Sequence, residues 1–140
     1  MSDLKCFLAQ NAMKAEDQEY IASKRFVQDG KPVPWRLRVV TNDELDKIQK
    51  AARHKEFNAK TRQYTVTTDQ EQVVYEMAVA SVVYPDLEDM DLQMSYGAGT
   101  PVELLKKMLT PGELADLLGA VNEVSGFQMD MNEKIKTAKN

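Results

Sequence analysis

Residues suited to covalent or acid–base chemistry are scarce in this chain, which has one cysteine, Cys6, and one histidine, His54. Ser-His-Asp and Cys-His arrangements therefore have almost no combinations to draw on. Cys6 sits in a short amphipathic stretch where nothing marks the thiol as activated, so a packed or partly exposed thiol is the simpler reading. His54 stands between Arg53 and Lys55 at the end of a helical pattern, where the helix dipole favours cations. The densest carboxylate group is Asp86, Glu88, Asp89 and Asp91. A calcium loop needs glycine at its sixth position and glutamate at its twelfth. Those positions are Asp91 and Gly97 counted from Asp86, and Met94 and Thr100 counted from Asp89, so both registers fail. Gly97-Ala98-Gly99 is too short for a phosphate-cradling loop and reads as a hinge before a capped helix. The expectation is a chain that is not an enzyme, with no cofactor and no metal.

Methionine stands out instead, with eight in the chain. Its side chain adapts its shape and is overused on surfaces that grip varied apolar partners. Met77 and Met108 read as core filling. For Met90, Met94, Met129 and Met131, contact with a partner weighs as heavily as burial. Leu87, Met90, Leu92 and Met94, interleaved with the acidic residues, are the candidate partner-binding residues.

Several elements position these residues. Asp3 to Gln10 reads as a short helix with Leu4, Phe7 and Leu8 on one side. Glu19–Val27 and Pro34–Val40 read as two strands around the turn Gln28-Asp29-Gly30-Lys31. In the second strand Trp35, Leu37 and Val39 alternate with Arg36 and Arg38, giving one apolar and one basic face. Thr41 and Glu44 have the spacing of a capping box, with Val40 and Leu45 as its hydrophobic staple, and open a helix to about His54. Tyr64–Thr67 offers a third strand to the hairpin. Thr68 and Glu71 repeat the capping spacing before the most apolar segment, a helix over 69–84 that Pro85 stops. An acidic connector with one helical turn follows. Thr100-Pro101-Val102-Glu103 and Thr110-Pro111-Gly112-Glu113 then start two helices, each with Thr at the N-cap, Pro at N1 and Glu at N3. The second of these ends near Ser125-Gly126.

The fold expected is therefore α+β: an N-terminal antiparallel β-hairpin, or three strands if Tyr64–Thr67 joins, packed with about five helices and a mostly helical second half. Residues 42–54 and 69–84 should pack on the sheet and 100–125 should form a helical pair, with Trp35 and Tyr84 anchoring the core. One domain over 1–140 suits the length, with 131–140 as a frayed tail.

The net charge of −4 conceals an asymmetry. Residues 1–64 hold 13 Lys and Arg against 9 Asp and Glu, net +4, whereas 65–140 hold 5 against 13, net −8. The acidic half is unsuited to phosphate backbones, and no basic recognition helix is visible, so nucleic acid is not an expected partner. The split does suit head-to-tail association of copies, a homo-oligomer. The start of the chain carries no signal-peptide pattern, and its longest apolar run, Met77–Tyr84, is far short of the ~20 residues that span a bilayer. No membrane partner is expected.

Several segments together resemble a known family. They are Phe7-Leu8-Ala9-Gln10-Asn11, Tyr20-Ile21-Ala22-Ser23-Lys24-Arg25-Phe26, Gly30-Lys31-Pro32-Val33 with Trp35, Ala78-Val79-Ala80-Ser81-Val82-Val83-Tyr84-Pro85-Asp86-Leu87, Ser95-Tyr96-Gly97, Glu103-Leu104-Leu105 and Met108-Leu109-Thr110-Pro111-Gly112-Glu113. In this order they are similar to the XkdN-like phage tail assembly chaperones of tailed phages and of defective prophages in Gram-positive bacteria. The resemblance covers nearly the whole chain and is weakest over 54–68. It implies a protein of the host bacterial cytoplasm that binds the phage tape-measure protein, keeps its apolar helices from aggregating, helps recruit the tail-tube protein, and is absent from the mature virion. It brings no catalytic residues to carry over. The alternative is a structural tail or baseplate subunit retained in the virion.

Overall fold

The computed structural model describes residues 4–126. The tail expected at 131–140, with Met129 and Met131, lies outside the described residues. Strand β1 (Gln18–Tyr20) pairs antiparallel with β4 (Trp35–Leu37), and β4 pairs antiparallel with β7 (Val82–Tyr84), giving a three-stranded sheet in the order β1-β4-β7. Between β1 and β4 the chain makes a tight tip from β2 (Val27–Gln28) and β3 (Lys31–Pro32). Asp29 and Gly30 close this tip with φ of 54° and 77°. Two positive φ values in a two-residue loop are what a type I′ hairpin turn requires, and Asp-Gly is a preferred pair for it. In β4, Trp35 and Leu37 are 2% and 1% exposed while Arg36 faces solvent, as the alternation demands.

Five α-helices follow the hairpin among the described residues. Helix α1 (Asn42–Ala51) starts at a complete capping box: the Thr41 hydroxyl accepts from the Glu44 amide, and the Glu44 carboxylate accepts from the Thr41 amide. Helices α2 (Gln70–Ser81), α3 (Met90–Tyr96), α4 (Pro101–Met108) and α5 (Pro111–Val124) start at Asp69, Asp89, Thr100 and Thr110, whose side chains each accept from the amide three residues on. Thr110 and Glu113 form a second complete box, while Glu103 instead accepts from the Gly99 amide. The expected α+β class, with helices filling the second half and α4 and α5 as a pair, is what the chain adopts.

One strand pairing and several boundaries differ from expectation. The helix expected over 69–84 ends at Ser81, and Val82–Tyr84 is the third strand of the sheet. Val82 and Val83 are β-branched, and Pro85 biases the residue before it away from helical geometry. The Ser81 hydroxyl also donates to the Arg38 carbonyl at 2.7 Å, while the Arg38 amide donates to the Ser81 carbonyl at 2.8 Å, which extends the pairing past β4. Tyr64–Thr67 joins a different partner: β5 (Arg53–Asn58) and β6 (Gln63–Thr68) form a separate two-stranded hairpin in six-pair register. Helix α1 therefore stops at Ala51, and His54 and Lys55 lie on a strand rather than at a helix end. Thr68 is spent on that ladder, so Asp69 caps α2 in its place. The N-terminal segment forms only a 3-10 turn, Leu4–Phe7, with Leu4 and Phe7 exposed.

Two apolar clusters hold the chain. The main one joins Trp35 and Leu37 of the sheet to Ala78, Leu104, Leu105, Leu117 and Val121 of the helices. The smaller one joins Val40, Ala52, Val73 and Met77, with the staple residue Leu45 packed against it.

Candidate functional site

The long hairpin does not run in continuous register. Tyr20 faces Trp35 and Val27 faces Pro32, so residues 21–26 on one side answer only 33–34 on the other. An excess of this kind bends the strand and re-aims its side chains. Here Ala22 and Ser23 turn inward, 4% and 3% exposed, and Arg25 and Phe26 face the helical half. The Arg25 guanidinium donates to the Met108 carbonyl at 2.6 Å and to the Glu113 carboxylate at 2.9 Å. The Ser23 hydroxyl accepts from the Arg25 amide and donates to the same carboxylate. Glu113 thus does two jobs: it closes the cap of α5 and fastens the bulge of the hairpin.

The bulge forms one wall of an open groove of about 530 Å³. Phe26, Val33 and Trp35 come from the hairpin, Tyr84 and Pro85 from the end of β7, Leu92 and Tyr96 from α3, and Met108 from α4. The Phe26 and Trp35 rings stack with centroids 6.4 Å apart and planes 25° apart. The Arg25 guanidinium lies 5.2 Å from the Phe26 centroid and puts one cation at the rim. The Tyr84–Pro85 bond is cis. An apolar concavity of this size, with few polar groups, is the ordinary form of a binding site.

Of the residues expected at a partner surface, Leu87 is 4% exposed and belongs to the main core, so it is not part of any exposed face. Its carbonyl accepts from the Gln93 side chain at 2.8 Å, which pins α3 to the preceding loop. Leu92 is half-buried and lines the groove, while Met90 and Met94 lie on the other side of α3, each 73% exposed. This division follows from helical spacing: 90 and 94 share one face, and 92 and 96 another. Trp35 is core, as expected, but Tyr84 is 52% exposed and serves the groove rather than the interior. Phe26, Pro85 and Tyr96 were not legible as site residues, because each comes from a segment that reads simply as strand, stop or loop. Cys6 and His54 are both exposed, on the N-terminal turn and on β5. Among the described residues no three His, Cys, Asp or Glu side chains gather as a metal ion would need, and no helix is long and apolar enough to cross a membrane.

The electrostatics of the two capping glutamates make a pH prediction. The Glu113 carboxyl is lowered to about 2, chiefly by the Ser23 hydroxyl, then by the Thr110 amide and Arg25. The Glu44 carboxyl is lowered to about 2, chiefly by Arg38, which donates to both of its oxygens. Unfolded glutamate titrates near ~4.3, so both groups favour the folded state above that pH. Their contribution falls away as pH drops from about 4.3 toward 2, because the unfolded chain binds those protons first. Denaturant midpoints measured across this window should fall with acid, and Glu44→Gln should flatten the slope. An unchanged slope would mean that the Arg38–Glu44 pair does not form in solution.

A small α+β chain with an open apolar groove and an exposed methionine face has the form of a protein-binding module. The chain belongs to the Phage XkdN-like tail assembly chaperone family, whose model matches residues 4–139. This is a family of phage tail assembly chaperones rather than of enzymes. Phage-like element PBSX protein XkdN of Bacillus subtilis (strain 168) is 32% identical over 99% of this chain and 94% of its own length. The uncharacterised protein YqbN of the same organism is 31% identical over 99% and 93%. The crystal structure of YqbN superposes with a TM-score of 0.77, at 29% identity, over 91% of this chain and 99% of that one.

Proposed function

We propose that this chain is the tail assembly chaperone that binds the phage tape-measure protein and keeps it soluble in the host bacterial cytoplasm until the tail-tube protein assembles around it. Family membership supports the tail-assembly role, and the observation that carries the binding mode is the groove between the hairpin bulge, β7 and α3. Its apolar walls, aromatic stack and single rim cation suit one face of an amphipathic helix, the recurrent helix-in-groove mode. Met90 and Met94 lie on the outer face of α3, away from this groove. A tape-measure protein has long apolar helical stretches, and such stretches aggregate when uncovered. Once tube subunits cover them the chaperone has no further surface to hold, so it is expected to be absent from the mature particle.

The test is co-expression with the tape-measure protein of the same phage, read as client solubility and co-purification. Soluble, co-purifying client is the expected result. Insoluble client with nothing bound, together with this chain detected by mass spectrometry in purified particles, would overturn the proposal and make the chain a structural tail or baseplate subunit.

A further inference from the structure

The β5–β6 hairpin stands out from the rest of the molecule. Every residue of both strands is exposed except Thr68, which is half-buried. Six residues of strand project it by ~20 Å from its base, where the Asp69 amide donates to the Ala52 carbonyl. The register separates its two faces: His54, Glu56, Asn58, Gln63, Thr65 and Thr67 share one, while Phe57, Tyr64 and Val66 share the other with Arg53 and Lys55. On that second face the Phe57 and Tyr64 rings pack with centroids 5.2 Å apart, yet remain 57% and 69% exposed, with Val66 at 59%. A two-stranded hairpin is marginal in water by itself, so an uncovered apolar face on one is a surface built to be covered. Its charge points to what covers it. Arg53, Lys55, Lys60 and Arg62 against Glu56 leave the hairpin at net +3.

The same molecule carries the complement. Asp86, Glu88, Asp89 and Asp91 are all exposed, with no basic residue among 85–96, and they border Met90 and Met94. Within one copy the two faces stay apart, since both remain open to solvent. We infer that the Phe57–Tyr64–Val66 face of one copy docks on the acidic Met90–Met94 face of α3 in a second copy, a head-to-tail contact in which aromatic rings meet adaptable methionines and cations meet carboxylates. A heterologous contact of this kind uses a different patch on each partner and propagates, so it makes chains or rings rather than a closed two-fold dimer. It uses the outer side of α3 and leaves the groove on the other side free, so it does not depend on the identity of the client.

Sedimentation velocity of the full chain over a concentration series, at low and high salt, tests this contact. Wild-type chain is expected to associate, more weakly as salt rises. Arg53→Glu with Lys55→Glu should raise the dissociation constant roughly tenfold, and Glu88→Lys with Asp91→Lys should do the same, because each reverses two rim charges. Mixing the two double variants should restore association, as alternating chains or rings of one-to-one composition, because every junction then joins opposite charges; this also shows that both are folded. Phe57→Ser, which leaves charge untouched, should weaken association in either salt. A wild-type chain that stays monomeric at the highest concentration in low salt overturns the inference. So does association that ignores either set of substitutions, or a mixture that fails to pair.

Discussion

Leu105→Ala is expected to lower the thermal unfolding midpoint by roughly 10 °C. Leu105 is 0% exposed in the main core, on the face of α4 that also buries Leu104 and Met108. Truncating a buried leucine loses its transfer free energy and leaves a cavity, together about 3 kcal/mol. A domain of this length is held by only ~5–15 kcal/mol, so the loss is a large fraction of the whole. Met94→Ala, at a position 73% exposed, is the matched control and should stay within about 0.5 kcal/mol of wild type. Differential scanning calorimetry of the two variants checks both values. Equal midpoints would mean that the α4 face is not the interior of the folded chain.

The second large effect is functional. Tyr84→Asp is expected to abolish co-purification of the tape-measure protein while leaving the unfolding midpoint close to wild type. Tyr84 is 52% exposed and lines the groove beside Trp35 and Pro85, so its ring is available to a client and contributes little to the interior. Aromatic residues at the centre of an interface commonly carry about 2 kcal/mol each, roughly thirtyfold in affinity, and a carboxylate in their place adds the cost of desolvating a charge. The measurement is a quantitative pull-down from co-expressing cells beside a melting curve of the variant alone. Full retention of client by a folded Tyr84→Asp chain would remove the groove as the binding site. Met90→Asp, on the outer face of α3, separates the two sides of that helix: loss of client there, with Tyr84→Asp silent, would move the binding surface to the methionines.

Three of the helix starts were readable in the sequence because their causes lie within four residues. The hydroxyls of Thr41, Thr100 and Thr110 each accept from the amide three residues on, and the structure forms those bonds where the spacing places them. Asp29-Gly30 was legible for the same reason, since the backbone there takes positive φ. The burial of Trp35 and Leu37 followed from period-two alternation. Strand pairing was not legible in this way. Val82–Tyr84 continues an apolar helical pattern and looks helical until its partner is known; the partner is β4, about 45 positions earlier. The Tyr64 strand was visible as a strand, but its pairing with Arg53–Asn58 rather than with the hairpin came from a short local loop whose closure costs little entropy.

The site itself divides the same way. The sequence by itself determined the capped helices, the turn at Asp29-Gly30, the basic and acidic halves, and the family, because each rests on local chemistry, on residue counts or on shared sequence. Only the tertiary structure decided that Leu87 is interior while Met90 and Met94 are exterior, and that Phe26, Tyr84 and Tyr96 share one groove. The reason is that burial and concavity depend on what packs opposite. The bond from Arg25 to the Met108 carbonyl joins residues 83 positions apart, and no local pattern in the chain marks that meeting before it folds.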